Sequence, residues 1–514
     1  MSDLNIMKSW LQNEFSIGLP KEVQQVIKSN LPPQYKKKTW IVKVGLIIHR
    51  LSEMPWYTQK QLLDEVGINK NKLIKLNKII RENKFFQDLI LKNGLGKKYW
   101  NTIIPYVKNG SVDKVLNYEY QFPLRLALFP GLSCMYYCGF CGRNQKASFS
   151  NKIIEKGNQR FKDIISGMPK YSTLSISGGL EPLTNSGLGD IISHAKSLGM
   201  KVPLITNGHM LTPRYLKRNT GLWDLDSLRI SLYGTDEDST YFVTRHKRAY
   251  KLVKSNIINF LKNRNEINPN LKFGLNYIIL PDNVNTIIPL IEYIKEINNS
   301  VKNGRGVDFL TIREDFGSVT DGDDIDVKER KYHLDGFLST EQRKNLINTF
   351  KKFNEIRDKD CPNLHVDFGY AMVALGEGIL GKPLARVSGK QMRVSGYPQM
   401  SVAVDSSGDV FLYREAGFKD RPGNKKFIAG TINDNNSIED VLRKYIENGI
   451  MVDRKTTDCR FMDSYDHLMT LLVNQAESDK DLGIPFNLGP VNVRLSEMNL
   501  KEKDFKISNN WYKD

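Results

Sequence analysis

The chain has 514 residues, 40% of them hydrophobic and 26% charged, with a formal net charge of +18. That length supports two or three domains and a sizeable core, while no apolar run approaches the ~20 residues of a membrane-spanning helix. The opening residues lack the charged-then-apolar layout of a secretory signal, and five cysteines are too few for a disulfide framework in so long a chain; membrane and secreted-scaffold classes are excluded, and the cytoplasm is the expected compartment.

Positive charge is concentrated early, with 20 Lys and Arg against 10 Asp and Glu in residues 1–120. Such a balance suits anionic partners such as nucleotides, phosphorylated substrates, acidic peptides or nucleic acid, or simply keeps a Lys-rich chain soluble. Residues 1–118 read as helices. Within 58–83, Leu62, Leu63 and Val66 share one segment, Gly67 interrupts, and Leu73, Ile74, Leu76, Ile79 and Ile80 resume the pattern, predicting two amphipathic helices about a glycine turn. A DNA-binding helix-turn-helix has this outline. No base-reading pattern accompanies the scattered lysines, however, and a helical cap packed on the next domain accounts for the same residues.

From residue 122 the period changes to two. The run FPLRLALF alternates apolar at Leu124, Leu126 and Leu128, as a strand does. Further strands are predicted at 173–177, 202–206, 228–233, 273–280 and 307–312, separated by helix-sized stretches at 151–167, 187–199, 247–264 and 284–297. Strand–helix alternation repeated about six times predicts a parallel α/β sheet, and six units suit an open or partial barrel with its ligand site at the carboxyl ends of the strands. A helix follows at 339–360, with Ser339 and Gln342 at capping-box spacing. A hairpin is expected at 401–413 and a capped helix at 437–449.

Cys134, Cys138 and Cys141 are spaced Cys-x3-Cys-x2-Cys directly after the first strand. A closed zinc site needs four ligands, and no fourth Cys or His lies nearby; the next histidine is His194. Three thiolates suffice for a [4Fe–4S] cluster with one iron left open. This spacing, with Phe140 before the third cysteine and an α/β series behind it, resembles the radical S-adenosylmethionine (SAM) superfamily. The resemblance implies that the open iron binds SAM, whose reductive cleavage yields a 5′-deoxyadenosyl radical. It further implies that Gly178, Gly179 and Glu181 of SISGGLEPL, Asn207 of ITNGHML, Ser231 of LRISLYG and Asn276 of GLNYIIL contact SAM. Leu180 between the glycines and the glutamate makes this a variant of the family pattern. Arg313 and Glu314, in LTIRED, are implied to serve the substrate or SAM.

The similarity narrows further. YWNTIIP (99–105), the cysteine loop, 177–189, 221–234, IRED (312–315), LHVDFGYA (364–371) and GDVFLYREAGF (408–418) resemble the lineage of TDP-4-amino-4,6-dideoxyglucose ammonia-lyase, collinearly from about residue 45 to 485. That resemblance implies hydrogen abstraction from a nucleotide-activated amino-deoxysugar with loss of ammonia. No Walker-type loop is present, so a diphosphate would be held by Lys or Arg. Arg414, Lys419, Arg421, Lys425 and Lys426 offer this, or form a solvated basic loop. Glu314, Asp315, Asp321, Asp323 and Asp324 would grip an amino group or face water.

Cys361, alone before a probable strand, supports a second reading: a radical SAM peptide epimerase that uses this thiol as hydrogen-atom donor, against the plain alternative of packing. The hairpin resembles scaffolds that carry auxiliary clusters in related enzymes. Tyr413 stands where a cysteine would, and Cys459 is too distant from Cys361 in sequence to complete a site, so a single cluster is expected. A helix-turn-helix regulator with a redox-sensing cluster is the non-enzymatic alternative; the Gly-Gly-x-Glu run and the strand series argue against it.

The resulting expectation is a helical cap (1–118), a partial (β/α)6 core (119–335) and a C-terminal α/β extension without a second cluster (336–514). The expected partners are a nucleotide-sugar or peptide substrate and a reductant such as flavodoxin or ferredoxin, with neither membrane nor nucleic acid.

Overall fold

The computed structural model describes residues 2–13, 18–92, 94–141, 148–301, 304–314, 338–380, 394–417, 423–448, 452–453 and 462–483. Eight helices precede the sheet: α1 (Asp3–Leu11), α2 (Lys21–Ser29), α3 (Lys38–Glu53), α4 (Gln59–Val66), α5 (Lys70–Glu82), α6 (Lys84–Leu91), α7 (Gly94–Lys108) and α8 (Ser111–Leu116). The two helices predicted about Gly67 are α4 and α5. Thr58 and Gln61 form a capping box at the start of α4, and Gly67 ends it at φ +61°, where a side chain would be strained. Leu73, Leu76, Ile79 and Ile80 are buried in the same core as Trp56, Tyr99 and Trp100, so α5 spends its apolar stripe on packing.

The strands are β1 (Arg125–Phe129), β2 (Thr173–Ile176), β3 (Pro203–Thr206), β4 (Ser227–Leu232), β5 (Lys272–Ile279), β6 (Phe309–Glu314), β7 (His365–Phe368), β8 (Val394–Ser395), β9 (Ser401–Asp405), β10 (Asp409–Phe411), β11 (Ile428–Thr431) and β12 (Val452–Asp453). Ten of them form one sheet in the order β11-β10-β9-β1-β2-β3-β4-β5-β6-β7. All pairings from β9 through β1 to β7 are parallel, as the α/β alternation requires. The intervening helices are α9 (Ile154–Ser166), α10 (Leu188–Ser197), α11 (Pro213–Arg218), α12 (Glu237–Thr244), α13 (Ala249–Ile267), α14 (Ile287–Ser300) and α15 (Thr340–Asp360). The predicted Ser339–Gln342 capping box starts α15.

Alternate residues divide the sheet into two faces. Leu126, Leu128, Leu174, Ile176, Leu204, Leu228, Ile230, Leu275 and Leu310 are buried against Phe161, Ile191, Phe260 and Leu290 of the surrounding helices. Each such aliphatic contributes roughly 1.5–3 kcal/mol on burial. The opposite parity carries a polar row in register across three strands, where Ser231 faces Asn276 and Asn276 faces Thr311.

Two features extend the six-stranded expectation. β7 adds a seventh parallel strand beside β6. The C-terminal hairpin joins the main sheet as well, because β9 pairs parallel with β1 from Arg125↔Ser401 to Phe129↔Asp405. After α16 (Tyr370–Gly376) and α17 (Ile438–Glu447), the chain returns in α18 (Ser464–Asp481), whose Leu468, Leu471 and Leu472 enter the core of the N-terminal helices. There the Tyr99 hydroxyl donates to Gln475 Oε1 at 2.6 Å, and Gln475 Nε2 donates to the Pro55 and Tyr57 carbonyls. Among the described residues, no helix is long and apolar enough to cross a membrane.

Candidate active site

The loop after β1 carries the three cysteines and is fixed by its neighbours. The Glu181 N–H donates to the Ser133 carbonyl at 2.9 Å, and Thr184 Oγ1 accepts from the Leu132 N–H at 2.8 Å. A Cβ on Gly131 would approach the Leu180 carbonyl carbon to 2.6 Å, so this close contact requires glycine. Cys138 is buried; Cys134 and Cys141 are partly exposed, and all three line one cavity at the carboxyl edge of the sheet. Among the described residues, no three His, Cys, Asp or Glu side chains are grouped to hold a single metal ion.

Behind the loop, Tyr136, Tyr233 and Phe140 pack with the cysteines. The Tyr136 hydroxyl is 3.1 Å from His209 Nδ1. Burial pushes the Tyr136 phenol well up, with nearby Cys138 and Glu181 adding to it, and burial pushes His209 down to about 4, aided by His246. His209 is therefore neutral at neutral pH.

Gly178 and Gly179 follow β2 with φ of +44° and +68°. A Cβ on Gly178 would meet the Phe129 ring at 2.9 Å, and one on Gly179 the Gly417 carbonyl oxygen at 3.0 Å. Glycine is thus required twice, and the backbone lies bare against the cavity. Glu181 is buried and accepts hydrogen bonds from the Leu183 N–H (3.1 Å), the Thr206 hydroxyl and the Asn207 N–H (2.8 Å). It thereby ties the loop after β2 to the end of β3. A carboxylate offers about four lone-pair sites, so most of this one's capacity is already engaged in positioning. The Asn207 amide nitrogen lies 3.7 Å from Cys134 Sγ and 3.2 Å from Met135 Sδ, pointing at the cysteine loop.

The polar inner row completes one wall. Ser231, Asn276 and Arg313 line the cavity from β4, β5 and β6. Among the described residues, Asn276 Oδ1 and Arg313 Nε are buried without a hydrogen-bond partner, an arrangement that costs about 1–3 kcal/mol per group unless a ligand supplies one. Arg229 lies one layer deeper, with its guanidinium 6.0 Å from the Phe309 ring centre.

The other wall comes from β1, the hairpin and α18. Asp463 caps α18, accepting from the Tyr465 and Asp466 N–H groups, and faces Arg125 at 3.6 Å and Arg414 at 3.7 Å. Burial resists its ionisation, but Arg125 and Arg414 hold its carboxyl below the usual range. Burial, then the neighbouring Asp463, drives Asp466 well up, and burial with Arg125 nearby lowers Arg414 to about 10. Arg125 also stacks over Tyr465 at 4.4 Å, and Arg414 Nη2 donates to Ser177 beside the glycines. Two guanidiniums thus share Asp463, and the Glu415 carboxylate lines the same wall.

Cys134, Cys138, Cys141, Gly178, Gly179, Glu181, Asn207, Ser231, Asn276 and Arg313 therefore all meet at one cavity. Cys361, the hydrogen donor expected under the peptide-epimerase alternative, does not. It terminates α15 ahead of β7, at the amino edge of the sheet, in the hydrophobic cluster, with its sulfur 3.9 Å from Asn298 Nδ2. It lines a different cavity, with Lys98, Arg305 and Asp308. Lys425 and Lys426 are exposed, as a solvated loop would be. The backbone of Glu314 ends β6, but its side chain lies outside the described residues, as do Asp315, Asp321, Asp323, Asp324, Lys419, Arg421 and Cys459. Arg125, Arg229 and Asp463 were missed. Arg125 carried a readable signal: it stands on the parity opposite Leu124, Leu126 and Leu128.

The sequence profile described as the radical SAM superfamily matches residues 128–294, and the chain belongs to that superfamily. It is 34% identical over 433 residues to dTDP-4-amino-4,6-dideoxy-D-glucose ammonia-lyase of Streptomyces venezuelae, covering 84% of this chain and 86% of that protein. Similar solved structures include Streptococcus suis SuiB bound to precursor peptide SuiA, with 16% identity, TM-score 0.41 and coverage of 65% of this chain and 68% of that one. Another is anSMEcpe with bound AdoMet and peptide, with 15% identity, TM-score 0.41 and coverage of 70% and 97%.

Proposed function

We propose that this chain is a radical SAM lyase that removes a hydrogen atom from a nucleotide-linked amino-deoxysugar and releases ammonia. One observation carries the reading. A single cavity joins three thiols to Arg125, Arg229, Arg313 and Arg414, the donor set that a cluster, SAM and an anionic substrate together require. The Streptomyces relative supplies the substrate class.

The residues fit the absent groups. Cys134, Cys138 and Cys141 would hold one [4Fe–4S] cluster, with no side chain from this set left for a fourth iron. The bare backbone at Gly178 and Gly179 would let the methionyl end of SAM approach, and Ser231 and the unfilled Asn276 Oδ1 would receive its polar groups. With an electron supplied, this pair of cofactors furnishes a 5′-deoxyadenosyl radical for hydrogen abstraction. Glu181 holds the loops after β2 and β3 in one arrangement, while Tyr136, Phe140 and Tyr233 exclude water behind the cysteines. Arg125 and Arg414 are prepositioned by Asp463, and would hold a diphosphate in a fixed fork geometry.

The peptide-epimerase reading rested on Cys361, which lines the other cavity. The test is direct. Reconstituted, reduced protein is incubated with SAM and dTDP-4-amino-4,6-dideoxyglucose, and 5′-deoxyadenosine and ammonia are quantified. Equimolar formation of both supports the lyase. Formation of 5′-deoxyadenosine without ammonia sinks it, and SAM left intact sinks the radical chemistry as well.

A further inference from the structure

The surface directly over the cysteine loop has a composition that the proposed reaction does not use. Tyr137, between buried Tyr136 and buried Cys138, is 45% exposed. Its N–H donates to the Thr244 carbonyl at 2.9 Å, stitching the loop to the end of α12. There Tyr241 and Phe242 are 41% and 43% exposed. Arg245 ends α12 at φ +56°, a conformation for which glycine or asparagine is the ordinary choice, and its guanidinium lies 5.1 Å from the Phe242 ring centre. Lys247 and Arg248 follow, both exposed.

Opposing charge is remote or engaged. Glu237 pairs with Lys251 at 2.8 Å, Asp236 caps the helix, and Asp238 lies seven residues before Arg245, about 10 Å away along the axis. Three exposed aromatics beside Arg245, Lys247 and Arg248 thus cover the loop that carries the three thiols.

We propose that this patch is the docking site of an acidic one-electron carrier protein. This rests on the radical SAM reading of the cavity below. Aromatic and Arg side chains are the residues enriched at recognition surfaces, and a basic border steers a negatively charged partner into register. A patch built on three aromatics with a basic border suits the small, transient contacts of redox encounters, under about 1,200 Å². Buried Tyr136 and Cys138 flank Tyr137 in the chain, so the surface and the cluster ligands are adjacent. A carrier seated here would pass one electron to the cluster that Cys134, Cys138 and Cys141 would hold, with no bond made or broken.

The test uses the full-length holoprotein, a reduced flavodoxin of net negative charge, and the triple variant Arg245→Glu, Lys247→Glu, Arg248→Glu. Stopped-flow absorbance should show flavodoxin reducing the variant's cluster at least about tenfold more slowly at low ionic strength, with the gap closing as salt is added. Reduction by dithionite should be unchanged. Calorimetric binding of flavodoxin should weaken in the variant, and Phe242→Ala should weaken it without changing its salt dependence. Equal flavodoxin rates and affinities for wild type and variant overturn the proposal. So does a variant that loses only oligonucleotide binding, or only self-association in sedimentation. If wild type forms no 5′-deoxyadenosine with dithionite, the reading of the cavity fails, while the binding comparison still decides the docking site.

Discussion

The two edges of the parallel sheet hold similar residue types in opposite states. At the amino edge the charged side chains sit in ion pairs, although Arg264 Nε has no hydrogen-bond partner among the described residues. Arg264 donates to Asp308 Oδ2 at 2.8 Å and to the Leu271 and Gly306 carbonyls at 3.0 Å, Arg305 pairs with Asp308 at 2.6 Å, and Lys295 donates to Asp360 at 2.8 Å. At the carboxyl edge, Asn276 Oδ1 and Arg313 Nε are buried without partners among the described residues, and two arginines share Asp463. A folded chain tolerates unfilled buried donors and acceptors where a ligand completes them. Pairing marks the amino edge as structural, and unfilled capacity marks the carboxyl edge as the place of chemistry.

The sharpest way to break this contrast is to remove a thiol. Cys134→Ala should abolish SAM cleavage, leaving no 5′-deoxyadenosine by chromatography and a large loss of bound iron, while thermal unfolding stays close to wild type. At the amino edge the effect should invert. Arg264→Ala removes one of the two guanidiniums on Asp308, which keeps Arg305 at 2.6 Å, and also removes the buried bonds to the Leu271 and Gly306 carbonyls; it should destabilise the fold by about 2–3 kcal/mol in urea unfolding. The protein that remains folded should still cleave SAM. Glu181→Gln removes the charge that gathers the Thr206 and Asn207 donors and should slow SAM cleavage by about 10–100-fold, with little change in melting temperature. The smallest effect is expected from Cys361→Ala: less than about twofold on 5′-deoxyadenosine formation, with about 1–2 kcal/mol of stability lost from a small buried group. A catalytic collapse in that variant would contradict the division between the two edges.

Much of this was legible from residue patterns, and the reasons are local. Period-two runs around Leu126, Leu204 and Leu275 marked strands because alternate side chains must enter an apolar layer. Ser339 and Gln342 marked the start of α15 because helix caps need only near neighbours. Cys361 was legible too. In a parallel βα series, a residue that ends a helix and precedes a strand stands at the amino edge, away from the site.

What the sequence determined by itself is therefore the alternation that builds the sheet, the three thiols on one short loop, and the glycines whose backbone must lie bare beside them. All of these are set by interactions within a few residues. Only the tertiary structure decided that β9 pairs with β1, that Arg125 and Arg414 meet over Asp463, and that α18 closes both the cavity wall and the N-terminal core. Those contacts join segments more than 200 residues apart in the chain or cross between elements. Partner choice among distant apolar and charged groups is a property of the packed whole, so no single stretch of residues encodes it.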